Sequence, residues 1–146
     1  MKVIIAIDFS QATSILLSEV KKFAEFLSAK LWLIHVAAPD PDFAGYEHGP
    51  QSMRDEAARE FRKEHVALQR EVQAFRDMGM EATALLVQGR TAETILKEAD
   101  NLKAELIIIG SHGHGAVYHL LVGSVSEHVL RKAKCPVLVV PTHTRT

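Results

Sequence analysis

The sequence predicts an α/β fold in which a doubly wound sheet of five parallel strands is covered by helices on both faces. Short apolar runs alternate with amphipathic segments four times along the 146 residues, and the pattern closes on a fifth run. The runs are apolar without alternation, which is typical of strands buried between two helical layers. We expect strands at 3–7, 31–36, 82–87, 106–109 and 137–140, of which 82–87 is the weakest.

Four helices are expected between these strands, because apolar residues recur there every three or four positions. The residues of their apolar faces are Leu16, Val20, Phe23 and Leu27, then Met53, Ala57, Phe61, Leu68, Val72 and Phe75, then Ile95, Leu96, Ala99 and Leu102, and finally Val125, Val129 and Leu130. Ser10 and Thr91 are the expected N-caps of the first and third helices. The stretch 37–52, with three prolines and two glycines, is expected to be a surface loop.

Length and composition indicate one domain that spans residues 1–146. The 17 Lys and Arg residues nearly balance the 18 Asp and Glu residues, so we expect no nucleic-acid partner and no binding to anionic membranes. No apolar stretch approaches the roughly 20 residues of a membrane-spanning helix, and the N-terminus lacks the features of a signal peptide. Cys135 is the only cysteine, which suits a reducing compartment. We therefore expect a cytoplasmic protein.

A ligand site is expected beyond the carboxyl ends of the strands, where the winding of the sheet reverses. Asp8 follows the first run, and Ser10 is expected to cap the first helix and to leave the Asp8 carboxylate free for ribose hydroxyls. Gly110 and Gly113 follow the fourth run. They permit positive φ, and their missing Cβ atoms let a ligand approach backbone N–H groups.

The last helix opens at Gly123 and Ser124, where unpaired N–H groups and the helix dipole favour a phosphate group. Ser124 and Glu127 also have the spacing of a capping box, and capping and phosphate binding could be shared between Ser124 and Ser126. The P-loop, the dinucleotide fingerprint and the Gly-x-Ser-x-Gly elbow are all absent, and Cys135 sits before Pro136 as an ordinary small residue. We expect no catalytic residue.

Gly110, Gly113, Gly123 and Ser124 together match the pattern Gly-x2-Gly-x9-Gly-Ser. With this spacing the sequence resembles the ATP-binding type of the universal stress protein family. The resemblance extends along the chain through the segments AIDFS at 6–10, HV at 35–36, GSHG at 110–113, LVGSVSEHV at 121–129 and CPVLVVP at 135–141.

The resemblance implies a Rossmann-like sheet of the adenine nucleotide alpha hydrolase-like type, with strand order 3-2-1-4-5. It also implies ATP or another adenine nucleotide, with or without Mg²⁺, bound between strands one and four. By position, adenine and ribose would be framed by Ala6, Asp8, Val36, Ile109 and Gly110, and the phosphates would be held by Gly113, Gly123, Ser124, Val125 and Ser126. The family commonly dimerises through its last strand, here 137–140, and a signalling partner is expected but not identified.

Three alternatives remain open at this point. The first is an enzyme that slowly hydrolyses ATP or transfers a nucleotidyl group. The second is a dimerisation module that binds no nucleotide. The third is a metal site on His112, His114 and His119, because imidazoles are ligands that zinc and nickel accept. We favour loop and surface histidines over the metal site, and a nucleotide-binding regulatory homodimer over all three.

Overall fold

The computed structural model describes residues 1–38, 51–113 and 121–143, with the backbone alone for 51–53. Strands and helices alternate as β1 Lys2–Ile7, α1 Gln11–Ala24, β2 Lys30–Ala37, α2 Gln51–Asp77, β3 Glu81–Gln88, α3 Thr91–Leu102, β4 Leu106–Gly110, α4 Ser124–Lys132 and β5 Val137–Val140. A 3₁₀ turn at Glu25–Leu27 follows α1. The strands are all parallel and lie in the order β3-β2-β1-β4-β5, which confirms the predicted sheet.

β1 is the central strand, and its residues from Val3 to Ile7 are buried. Ala6 lies opposite Ile34 of β2 on one side and opposite Ile109 of β4 on the other. Because parallel strands end at the same edge of a sheet, the chain leaves β1 and β4 side by side. This edge is the one at which we expect a ligand.

Two apolar clusters cover the two faces of the sheet. On one face the helices α1 and α2 contribute the buried residues Leu16, Leu17, Val20, Ala24, Leu68, Val72 and Phe75. On the other face α3 and α4 contribute Ala92, Ile95, Ala99 and Val129. The helices that follow β1 and β4 therefore lie on opposite faces, so the winding of the sheet reverses between these two strands.

Two details of the helices differ from expectation. Thr91 was expected to be an N-cap, but it is the first residue of α3, and Arg90 holds the cap position without a side-chain hydrogen bond. Gly89 has a φ of +152° and turns the chain directly before Arg90, so that the helix starts one residue before the cap position expected for Thr91 would allow. Leu130 is 45% exposed, because α4 packs on the sheet through Val129 and the next residue points away from it.

The predicted loop at 37–52 is shorter than expected at both ends. Ala37 is the last residue of β2, and α2 already begins at Gln51. Residues 39–50 lie outside the described part of the chain. Among the described helices, none combines the length and the apolar character that crossing a membrane would require.

We predict that Phe75→Ala lowers the free energy of unfolding by about 3–5 kcal/mol, because it leaves a cavity where α2 packs on the sheet. The matched control is Phe26→Ala, since Phe26 is 86% exposed and its loss should change stability by less than about 0.5 kcal/mol. Denaturant titrations followed by circular dichroism measure both values. A similar loss in both variants would contradict the packing of α2.

Candidate functional site

Three of the predicted site residues, Ala6, Val36 and Ile109, belong to the apolar cluster on the face covered by α3 and α4. Ala6 and Ile109 are paired across β1 and β4, and Val36 lies near the end of the neighbouring β2. Ala6 and Ile109 are buried and Val36 is half-buried. The structure thus brings these residues together at the expected edge, where their assignment to adenine and ribose stays a prediction.

Asp8 directly follows β1, but the expectation that its carboxylate is free is wrong. Oδ1 accepts hydrogen bonds from the backbone N–H of Ser10 at 2.9 Å, from Ser10 Oγ at 2.6 Å and from Thr13 Oγ1 at 3.2 Å. Ser10 does act as the N-cap of α1, because its Oγ accepts from the N–H of Ala12 at 3.2 Å. The Asp8 carboxylate is therefore fixed in orientation by the first turn of α1.

Phe9 has an uncommon backbone conformation, and its ring packs against His35. Its φ is +57°, in the left-handed region that bulky residues rarely occupy. The ring packs on His35 with a centroid distance of 4.7 Å, and His35 Nδ1 lies 3.0 Å from the carbonyl oxygen of Ile7. His35 Nε2 lies 3.3 Å from Glu64 Oε2 on α2. Sequence reasoning missed this support, although a histidine within an apolar run was an available signal.

The first two glycines of the motif are required by packing within the chain. A Cβ atom on Gly110 would lie 2.9 Å from Thr142 Cγ2 and 3.3 Å from the carbonyl oxygen of His112. A Cβ atom on Gly113 would overlap Asp8 Oδ2, so Gly113 in the loop after β4 lies against Asp8, the residue that directly follows β1. Neither glycine adopts a left-handed φ, and the conformational freedom considered from the sequence is not used.

Gly123 differs from the other two glycines. Among the described residues, a Cβ atom there would meet only ordinary contacts, 3.5 Å to the carbonyl oxygen of Ser111 and 3.8 Å to His112 Cα. Its φ of −71° and ψ of 167° are accessible to any residue. Neither backbone conformation nor packing in the described part of the chain requires glycine at this position.

The N-terminus of α4 has no side-chain cap, because its N-cap residue is Gly123. The predicted capping box is wrong: Ser124 is the first residue of the helix, and the Glu127 carboxylate accepts hydrogen bonds from Arg131 at 2.8 and 3.0 Å. Glu127 therefore points along the helix, away from its start. The N–H groups of the first turn have no carbonyl one turn earlier to bind, and the helix dipole adds positive potential there.

The two serines of α4 have different positions. Ser126 is buried, and its Oγ donates a hydrogen bond of 2.6 Å to the carbonyl oxygen of Gly110, which ties α4 to the end of β4. Ser124 is exposed. If both contact a phosphate as expected, Ser126 is restricted to its backbone N–H group, whereas Ser124 can also offer its hydroxyl. Val125 lies between them and is half-buried.

Of the three loop histidines, His112 lies in the described part of the chain. His112 was expected at the surface and is buried instead, with Nδ1 3.0 Å from Ser111 Oγ. His114 and His119 lie outside the described part of the chain. Within the described ranges, no three His, Cys, Asp or Glu side chains are placed to hold a metal ion.

Cys135 lies just before β5, at the opposite edge of the sheet from this crevice. Burial raises the pKa of its thiol, and the carboxylate charge of Asp100 raises it further. A raised pKa lowers the thiolate fraction at neutral pH, and the thiolate is the nucleophilic form. The structure therefore agrees with the expectation that Cys135 is an ordinary packed residue.

The sequence pattern of the universal stress protein family matches residues 1–141. The chain belongs to this family. A relative from Thermus aquaticus, named universal stress protein in QAH/OAS sulfhydrylase 3'region, is 36% identical over 141 residues, which cover 94% of this chain and 96% of the relative. Family membership thus rests on nearly the whole length of both chains.

Solved structures agree with this membership. The universal stress protein MJ0577 of Methanocaldococcus jannaschii superimposes with a TM-score of 0.80 at 28% identity, covering 99% of this chain and 97% of MJ0577. A universal stress protein solved in complex with cAMP has a TM-score of 0.69 at 22% identity, with 98% of each chain covered. At that identity the second comparison establishes the shared fold.

The contrast between Gly113 and Gly123 predicts that the same substitution destabilises the protein more at Gly113 than at Gly123. Gly113→Ala should lower the free energy of unfolding by about 1–3 kcal/mol, because its methyl group would displace the Asp8 carboxylate. Gly123→Ala should change it by less than about 1 kcal/mol, since the methyl group meets only ordinary contacts. Thermal and denaturant unfolding of the two variants provide the test. Equal destabilisation would mean that Gly123 is also required by packing.

Proposed function

We propose that this protein is a regulatory protein of the stress response that binds an adenine nucleotide, with ATP as the first candidate, and acts as a homodimer. The observation that carries the proposal is the N-terminus of α4, which lacks a side-chain cap and begins beside Gly123. A phosphate group there would accept hydrogen bonds from the first-turn N–H groups and gain from the helix dipole.

The comparison with α1 strengthens the assignment of the phosphate end. Both α1 and α4 begin in the crevice between β1 and β4, but the start of α1 is already satisfied by side chains. Asp8 Oδ1 accepts from the N–H and the Oγ of Ser10, and Ser10 Oγ accepts from the N–H of Ala12. An anion would find no comparable opening there. We therefore place the phosphates at Gly113, Gly123, Ser124, Val125 and Ser126.

The nucleoside would lie on the other side of the crevice. Asp8 is proposed as an acceptor for ribose hydroxyls, a role for which its orientation by Ser10 and Thr13 is an advantage. Ala6, Val36, Ile109 and Gly110 would frame adenine and ribose through apolar contact and backbone groups. The family member solved with cAMP supports an adenine nucleotide as the ligand class for this fold.

The segment 110–126 contains no Lys or Arg, so within this segment the backbone N–H groups and the dipole of α4 would face the phosphates. A triphosphate carries several negative charges, and we propose that Mg²⁺ accompanies it to reduce their repulsion. The presence of Mg²⁺ should therefore matter more for ATP than for AMP.

A binding role is favoured over an enzymatic one. Asp8 is the acidic residue that directly follows β1, and its Oδ1 already accepts hydrogen bonds from Ser10 and Thr13, which makes it a poor general base. Slow hydrolysis of ATP remains the alternative, with a metal-bound water in place of a protein base.

We predict that ATP binds the parent protein and that Gly123→Val weakens binding at least about tenfold, because a branched side chain occupies the space beside the helix N-terminus. Mass spectrometry of small molecules released from the purified protein, followed by calorimetric titration with ATP, measures this. Phosphate release from bound ATP is followed in the same samples. Absence of binding at millimolar ATP would refute the nucleotide proposal, and many turnovers per minute would replace it with the enzymatic alternative.

We also propose that homodimers form through β5, which lies at one end of the sheet. β5 is a short apolar edge strand, and Leu138 on it is 39% exposed. An apolar edge that is left uncovered promotes aggregation, so pairing with a second copy has a physical motive.

Leu138→Lys should convert the dimer to a monomer, since a lysine on an edge strand opposes pairing with another chain. Val66→Lys is the matched control, because Val66 is also an exposed apolar residue but lies on α2. Sedimentation equilibrium of the parent and both variants gives the oligomeric state. A monomeric parent protein, or a dimer that survives Leu138→Lys unchanged, would count against the β5 interface.

A further inference from the structure

The chain that leaves β5 folds back onto the loop that leaves β4. The backbone N–H of Ser111 donates to the carbonyl oxygen of Val140 at 2.8 Å, and the N–H of Thr142 donates to Ser111 Oγ at 3.0 Å. Thr142 Oγ1 then accepts from the N–H of His112 at 3.0 Å and donates to the carbonyl oxygen of the same residue at 2.9 Å. One hydroxyl group thus holds both backbone polar groups of His112.

This arrangement lies in the interior of the protein. Ser111, His112 and Thr142 are each only 4–6% exposed. Buried polar groups that lose their partners are not compensated by water, so each bond restricts where the backbone of His112 can sit. The ring of His143 packs edge-on against the ring of His112, with centroids 5.6 Å apart, and adds a second contact between the two segments.

Ser111 and His112 lie directly beside Gly123. The carbonyl oxygen of Ser111 accepts a hydrogen bond of 2.6 Å from the N–H of Gly123, and His112 Cα lies 3.8 Å from the position of a Cβ on Gly123. Gly113, which follows His112 directly, contacts Asp8. The distance between Gly113 and the start of α4 therefore depends on the placement of the Ser111 and His112 peptides.

The sheet itself does not need the Thr142 hydroxyl. The pairing of β4 with β5 extends to Gly110 opposite Val140, and Thr142 lies two residues beyond that pair. Its methyl group Cγ2 fills space against Gly110, which a valine at this position would also fill. The hydroxyl group acts on the loop alone, so its contribution can be separated from the contribution of packing.

We propose that Thr142 is a positioning residue for the phosphates of the bound nucleotide. The inference rests on the proposed function, because it deepens the account of the same site. Thr142 does not contact the ligand. Its hydroxyl fixes the His112 peptide, and this sets the spacing between Gly113 and the N-terminus of α4 that a phosphate chain has to bridge. Affinity for the phosphates depends on this spacing much more than affinity for the nucleoside does.

The test compares Thr142→Val, which keeps the shape and removes the hydroxyl, with Thr142→Ser, which keeps the hydroxyl and removes the methyl group. Dissociation constants for ATP and for adenosine are measured by calorimetry for the parent protein and both variants. We expect Thr142→Val to weaken ATP binding about tenfold and to change adenosine binding less than about twofold, which corresponds to the loss of about one buried hydrogen bond. Thr142→Ser should stay within about threefold of the parent protein for both ligands.

The outcomes separate this inference from the function on which it rests. If the parent protein binds neither ligand, the proposed function fails, and the role of Thr142 fails with it. If the parent protein binds ATP and Thr142→Val binds it equally well, the inference alone is overturned. Equal weakening of ATP and adenosine would also overturn it, because that result indicates general damage to the fold.

A measurement on the parent protein keeps the inference testable if Thr142→Val does not fold. Amide hydrogen exchange followed by NMR reports on the N–H of His112, which donates to Thr142 Oγ1. ATP should slow the exchange of this amide by at least about threefold, and adenosine should leave the exchange rate unchanged. The reason is that only the phosphates require a fixed spacing between Gly113 and the N-terminus of α4. The same exchange rate with both ligands would overturn the proposal.

Discussion

The register between β1 and β4 determines the geometry of the whole crevice. Ala6 lies opposite Ile109, so the two strands reach the carboxyl edge at the same height and release Asp8 and Ser111 next to each other. A shift of β4 by one residue along β1 would turn Ile109 to the opposite face of the sheet from Ala6. Such a shift would also separate Asp8 from Gly113, which it now contacts. The site is thus a consequence of pairing in the core of the sheet.

Within this crevice the two helix starts differ in how their first N–H groups are satisfied. Ser10 caps α1 with its side chain, whereas Gly123 at the N-cap position of α4 has no side chain to offer and stabilises the helix by only about a few tenths of a kcal/mol less than a serine would. Ser124 is the first residue of α4 and does not take the cap position. Functional sites are where natural proteins depart from the locally most stable arrangement. The uncapped start lies beside the glycine that packing does not require, and the two departures coincide.

Local patterns in the sequence were sufficient for the sheet and for most helix faces, because strand runs and helical spacing depend on neighbouring residues. The details that local patterns did not predict depend on distant partners. The hydroxyl of Ser126 binds the carbonyl oxygen of Gly110, sixteen residues earlier. His112 was expected at the surface, but Thr142, thirty residues later, holds it in the interior. Periodicity and capping rules contain no information about contacts of this range.

The glycine motif also shows that spacing in the sequence does not reveal which distant residue each glycine contacts. Its glycines look equivalent in the sequence, yet Gly110 is required by Thr142, Gly113 by Asp8, and Gly123 by no contact in the described part of the chain. The first two glycines therefore belong to the architecture of the loop and would be needed with or without a ligand. In the proposed function only Gly123 would bear directly on binding, since its missing side chain would leave the approach to α4 open. A related chain that kept the first two glycines and carried a bulky residue at the third would retain the fold and lose this approach.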